Sequence, residues 1–173
     1  MKPWLSKNRI VIFFLTAHLI YLVMMFVGPL ITKGMTLEIF DLRMFSGYNL
    51  NDVNQFNQEI SDRGRDIYLY VQIPLDLIYP LLTSLFFFSY FKQEFKYKNI
   101  AFIGFLSMIF DYAENICVMI FLTSSGFTSE FVMIGSISTI LKGVFYLINY
   151  TIAIYFLARC VIKKIYKKTS GHQ

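Results

Sequence analysis

Asp111, Glu114 and Asn115 stand inside a long apolar run and carry the densest chemistry in the chain. At i, i+3 and i+4 they share one helix face, so two carboxylates and an amide point the same way. Acids held out of water beside an orienting amide suit general acid–base chemistry or proton coupling. Two further apolar runs carry polar stripes of their own. Gln72, Asp76, Tyr79 and Thr83 lie along one face of the first, and Lys142, Tyr146 and Asn149 along one face of the second. His18 stands alone in a fourth run. An ionisable group in hydrocarbon costs roughly 2.5–3.5 kcal/mol even on lenient insertion scales, so these stripes are expected to face one another. Asp76, Asp111 and Glu114 are the candidate catalytic residues. Asn115, Lys142, Tyr79, Gln72, His18, Tyr146 and Asn149 are the candidates for binding a substrate. The competing reading is hydrogen-bonding glue that fixes helix packing. Three carboxylates facing one lysine and one histidine argue against glue alone, because at least one acid must carry a proton or His18 a charge.

The four runs, at 10–31, 67–91, 100–124 and 131–162, each exceed the roughly 20 residues that cross a hydrocarbon core. The chain has 173 residues, 56% hydrophobic and 16% charged, with the apolar residues in blocks. That excludes an ordinary soluble domain. The expected fold is all-α: a single membrane domain over 1–173, built as a four-helix transmembrane bundle. It has a helical outer loop at 32–66 and a basic tail at 163–173.

Basic residues set the expected orientation. Lys2, Lys7 and Arg9 precede the first span, Lys92, Lys96 and Lys98 link the second to the third, and Arg159, Lys163, Lys164, Lys167 and Lys168 follow the fourth. The link at 124–130 has no Lys or Arg. The positive-inside rule then places both termini in the cytoplasm of a multi-pass protein of the cell membrane. The formal charge of +5 reflects this pattern and an affinity for anionic headgroups, and implies no nucleic acid partner. The first span reads as a retained helix, since 26–32 offers no small-x-small cleavage site. Cys117 and Cys160 fall at different depths and are not expected to pair. Trp4, Tyr90, Phe91, Phe95, Tyr97 and Tyr166 sit at span ends, as interfacial belts do.

Helical rise converts position into depth. From the cytoplasmic side, His18, Asp111 and Asn149 come out at about 12–16 Å, and Asp76, Glu114 and Lys142 at about 21–25 Å. Two polar layers are therefore expected. Pro74 and Pro80 bracket Asp76, and each frees a carbonyl one turn back, so a kink is expected around that carboxylate. In the outer loop, Asn49 can cap a helix whose apolar positions are Leu50, Val53, Phe56 and Ile60, with Gly64 at its end. The preceding stretch (Leu37, Ile39, Phe40, Leu42, Met44, Phe45) is too apolar for a free loop. An anchor on the outer membrane surface is the first reading, and a lid over a cavity the alternative.

Catalytic and metal motifs are missing: there is no HExxH, GxSxG, CxxC or Walker loop. His18 is a lone histidine within the spans and His172 lies in the tail, a poor ligand set. Asp76, Asp111 and Glu114 with His18 could hold a hard or transition metal in principle, but no metal and no cofactor is expected.

Phe40-Asp41-x-Arg43, Gly47-Tyr48, Gly64-Arg65 with Tyr68 and Gln72, Asp76-x-x-Tyr79-Pro80 and Asp111-x-x-Glu114-Asn115 form a set across the middle of the chain. In these the sequence resembles a family of small bacterial four-span membrane proteins, and the resemblance implies no particular activity. A looser, architectural likeness is to the emopamil-binding and sigma-2-receptor-like group. That likeness implies a lipid-accessible cavity with acids that move protons. The expected function is binding of a lipid or apolar small molecule at an intramembrane acidic site, with proton transfer as possible chemistry. The alternatives are a proton- or cation-coupled small transporter and a non-catalytic, immunity-type membrane partner. Membrane lipids are the expected partners, with a homodimer as a further possibility.

Overall fold

A computed structural model describes residues 3–170. Lys2 and His172 lie outside the described residues, as do the side chains of Trp4, Lys7, Lys164, Tyr166, Lys167 and Lys168. The described residues form helices and connecting turns without strands. Helix α1 (Pro3–Ile31) leads into a 3-10 helix (Phe40–Arg43) and then α2 (Leu50–Glu59). Helix α3 (Asp62–Ile67) continues through a π-helical segment (Tyr68–Gln72) into α4 (Ile73–Glu94). A second 3-10 stretch (Lys98–Phe105) opens α5 (Leu106–Thr123), and α6 (Ser129–Ser170) closes the chain. Four stretches are long and apolar enough to cross a membrane: Asn8–Ile31, Asp62–Glu94, Lys98–Thr123 and Ser129–Lys163. The architecture is an all-α four-helix bundle.

The spans are not packed equally. Helix α5 lies between α4 and α6, whereas α1 packs mainly along α4. Only 17% of the apolar stretch of α1 is buried, against 39–44% in the other three. One face of α1 is therefore outside the bundle, and α1 meets α6 where the His18 ring stands edge-on to Tyr150.

The outer loop is part of the bundle. Asn49 caps α2 as the sequence indicates: its side chain accepts from the Asn51 and Asp52 amides, and Asp52 returns the bond to the Asn49 N–H. Val53 and Phe56 pack inward with Phe40, Tyr48 and Phe121 in the main apolar cluster. The apolar stretch before α2 is thus folded onto the outer end of the helices. Ile39, Phe40 and Tyr48 are buried against the bundle, as a lid would be, while Leu42 and Phe45 of the same stretch stay exposed, as an anchor would be. Two side chains rivet it there. Asn57 donates to the Phe121 carbonyl at 2.9 Å and Arg65 donates to that of Leu122, satisfying last-turn carbonyls of α5.

Gly64 does not end α2. Ser61 caps a new helix with its hydroxyl, and Gly64 sits inside that helix. A Cβ there would stand 2.6 Å from the Ile31 carbonyl oxygen, so glycine is what lets α3 approach the end of α1. The irregularity before Asp76 is a π-helical turn, with Pro74 directly after it, where the changed phase accommodates a residue that offers no N–H to the turn before. Pro80 lies within α4. Its missing N–H frees the Asp76 carbonyl, and Asn115 Nδ2 donates to that oxygen at 3.3 Å. Cys117 and Cys160 are both free.

Candidate functional site

Lys142 of α6 is the centre of the site. It is 3% exposed, and its ammonium lies 2.9 Å from Asp41 Oδ1, 3.5 Å from Asp111 Oδ1, and in direct contact with Glu114 Oε2. Each acid has a second support. Tyr146 donates to Asp111 Oδ2 at 3.0 Å, and Thr139 donates to Glu114 Oε1 at 2.7 Å. Tyr68, from the π-helical segment, donates to Asp41 Oδ2 at 3.2 Å. Asn115 Nδ2 also approaches Asp111 Oδ1 at 3.3 Å, tying the acid to the helix that carries Asp76. Asp76 completes the group: carboxylate oxygens of Asp41, Asp76 and Asp111 lie within 4.8 Å of one another.

Four carboxylates therefore share one ammonium, a formal surplus of three negative charges. Asp41 belongs to the outer loop. Burial alone would raise its carboxyl, but the Lys142 charge and hydrogen bond, with hydrogen bonds from Asp76 and Tyr68, hold it below the ordinary carboxylate range. Nearby, burial pushes the Tyr48 hydroxyl well up. Tyr48 is seated by its own N–H, which donates to Ser136 Oγ at 2.9 Å. The preceding Gly47, at φ +66°, makes the left-handed turn that brings the two together.

A cavity of about 660 Å³ opens beside this cluster. Asp41, Asp76, Asp111 and Lys142 form its polar end. Its walls come from α1, α4, α6 and the loop, with Tyr21, Tyr79 and Tyr146 in a row whose ring centroids are 5.6 and 5.9 Å apart. Tyr21, Met25, Pro29 and Leu42 line it and are also exposed, with the exposed carboxylate of Glu38 beside them, so its rim is mainly apolar with one charged edge. At the end towards the middle of α1, His18 donates from Nδ1 to the Phe14 carbonyl at 2.7 Å, leaving Nε2 3.4 Å from the Tyr150 hydroxyl.

Seven of the ten residues singled out from the sequence thus belong to the cluster or its immediate supports: Asp76, Asp111, Glu114, Asn115, Lys142, Tyr146 and Gln72, the last one helical turn from Asp76 and also lining the cavity. Tyr79 and His18 line the cavity away from the acids. Asn149 is apart from both, with its amide 3.5 Å from Ser107 Oγ. The two expected polar layers are not what the bundle makes. Asp111 joins Lys142 and Asp76, leaving His18 and Asn149 behind. The 3-10 stretch before α5 accounts for part of the difference. It rises about 2.0 Å per residue instead of 1.5, which adds about 3 Å to the rise before Asp111 that α-helical counting gives. Thr139 has no signal in the sequence, and Asp41 and Tyr68 stand there only in the resemblance motifs, without a role at the site. Asp41 has a second signal, an acid set within a stretch too apolar for a loop.

Compared with known proteins, the chain matches no family model, no curated protein and no solved structure. The chemistry of the site rests on its own geometry.

Proposed function

We propose that this chain is a multi-pass membrane protein that binds a lipid or other apolar small molecule, with the polar end of that molecule resting on Asp41, Asp76, Asp111 and Lys142. The observation that carries the reading is a cavity of about 660 Å³ with an apolar, aromatic wall and one charged end. Its volume falls in the range of small-molecule sites, and few convergent polar groups on an apolar wall is their usual composition. The mainly apolar exposed rim of Tyr21, Met25, Pro29 and Leu42 supports entry of an apolar molecule from the bilayer, while the exposed Glu38 gives the same cavity a polar edge. In this reading Asp76 and Glu114 are the acid–base candidates, Asn115 positions Asp111 and the α4 backbone, and Gln72, Tyr79, Tyr146 and His18 contact the ligand. Both termini face the cytoplasm.

Native mass spectrometry of gently extracted protein tests this, with wild type beside Asp76→Asn, Asp111→Asn and Glu114→Gln. The expected result is a co-purifying apolar molecule that is lost in variants whose melting remains cooperative. A ligand-free wild type, equally stable in all four forms, would sink the lipid site and favour ion-coupled transport through the same acids. Variants that fail to fold, together with a ligand-free wild type, would identify the acids as packing glue.

A further inference from the structure

The ion pairs of Lys142 leave one part of the acid cluster unserved. The ammonium reaches Asp41, Asp111 and Glu114, while Asp76 lies beyond ion-pair distance of it. Oxygens of Asp41, Asp76 and Asp111 nevertheless converge within 4.8 Å. A calcium-sized ion binds oxygen at 2.3–2.6 Å, so two ligands of one ion stand at most about 5 Å apart. The three carboxylates are thus already at the separation that a shared cation requires.

A second observation comes from atoms without partners. Gln72 Oε1 and Asp76 Oδ2 are buried and accept no hydrogen bond among the described residues. The two residues are 1% and 3% exposed, stand one helical turn apart, and both line the cavity. Leaving a buried acceptor unmatched costs about 1–3 kcal/mol. A water molecule can donate to both atoms but leaves the formal surplus of three charges untouched. A proton on Asp76 removes one charge and leaves Gln72 unmatched. A divalent cation satisfies both acceptors and removes two charges. The donor set is entirely oxygen, which selects hard cations over zinc or copper.

We propose that Asp41, Asp76 and Asp111, with the side-chain carbonyl of Gln72, bind one hard divalent cation of the Mg²⁺, Ca²⁺ or Mn²⁺ class at the polar end of the cavity. Lys142 is then a fixed counter-charge that tunes the affinity from the far side. Cation binding requires no apolar ligand in the cavity.

Titration of the full chain in zwitterionic nanodiscs with Mn²⁺, following the signal of free Mn²⁺ by electron paramagnetic resonance, tests the site. One saturable site per chain is expected, displaced by Ca²⁺ or Mg²⁺. Asp76→Asn and Gln72→Met should each weaken it by roughly tenfold or more, since even supporting residues of metal sites are worth 10–100-fold. The absence of a saturable site in wild type overturns the proposal. So does wild-type affinity in both folded variants, which would mark adventitious binding on surface acids such as Asp52 and Glu59. Should Asp76→Asn fail to fold, Gln72→Met, which changes no charge, decides alone. A co-purifying apolar molecule without a Mn²⁺ site would sink the cation and leave the lipid reading standing.

Discussion

Lys142 is 3% exposed and holds three carboxylates at once, so both its stem and its charge are committed to the bundle interior. Replacing one partner of a buried ion pair leaves the others uncompensated, which typically costs about 3–5 kcal/mol. Lys142→Met, which keeps the stem and removes the charge, should therefore destabilise the bundle by that order. Unfolding of wild type and variant in the same detergent measures it. Equal stability would mean that the acids hold protons and do not depend on the ammonium. The identity of these residues was legible from the sequence because charge inside an apolar run has so few tolerable explanations. Asp41 was not legible in that way. It lies in a segment whose acids are offset by Lys33, Arg43, Arg63 and Arg65, and only folding shows that this one acid turns inward.

The helices divide into parts that periodicity can find and parts that it cannot. Apolar runs located all four spans to within a few residues, and Asn49 ahead of an apolar three-to-four pattern located the start of α2. The π-helical turn at Tyr68–Gln72 and the 3-10 stretch at Lys98–Phe105 have no such signature. Both change the rise or phase of a helix without changing its composition, and both decide which side chains meet. Tyr68 of the π turn donates to Asp41, and Asp111, on the helix that follows the 3-10 stretch, reaches Lys142. Gly64 is a further case, since a glycine within a turn-rich sequence suggests a helix end and here marks a seam. Gly64→Ala should force α3 away from Ile31, at about 1–3 kcal/mol for overpacking. A thermal melt checks it. An unchanged melting temperature would show that the α1–α3 seam yields freely.

For the molecule as a whole, the outer segment is a strap tied by charge to the bundle it covers. Folded Asp41 ionises more readily than its ordinary value of 3.8, so its contribution to stability is present above that value and is lost as pH falls through the folded one. Glu59, held low by Gln55 and by Thr36, acts with the same sign at the surface of the same loop. Acid should therefore release the strap before the spans. Protection from hydrogen exchange over residues 36–60, taken relative to the intrinsic rate at each pH, is expected to fall between roughly pH 4 and 3 while the spans stay protected. Protection that persists unchanged to pH 3 would show that apolar packing alone holds the strap. The Asp41–Lys142 join also spans 101 positions of sequence, with the cation on a helix made after those that carry the acids. Chains are synthesised from the N-terminus, so Asp76, Asp111 and Glu114 leave the ribosome before their counter-charge exists. The half-made protein carries acids that hydrocarbon accepts poorly and no ammonium to match them. Its biogenesis is thus a race in which the earlier spans must be sheltered until the fourth arrives, and Lys142 is the residue that ends the wait.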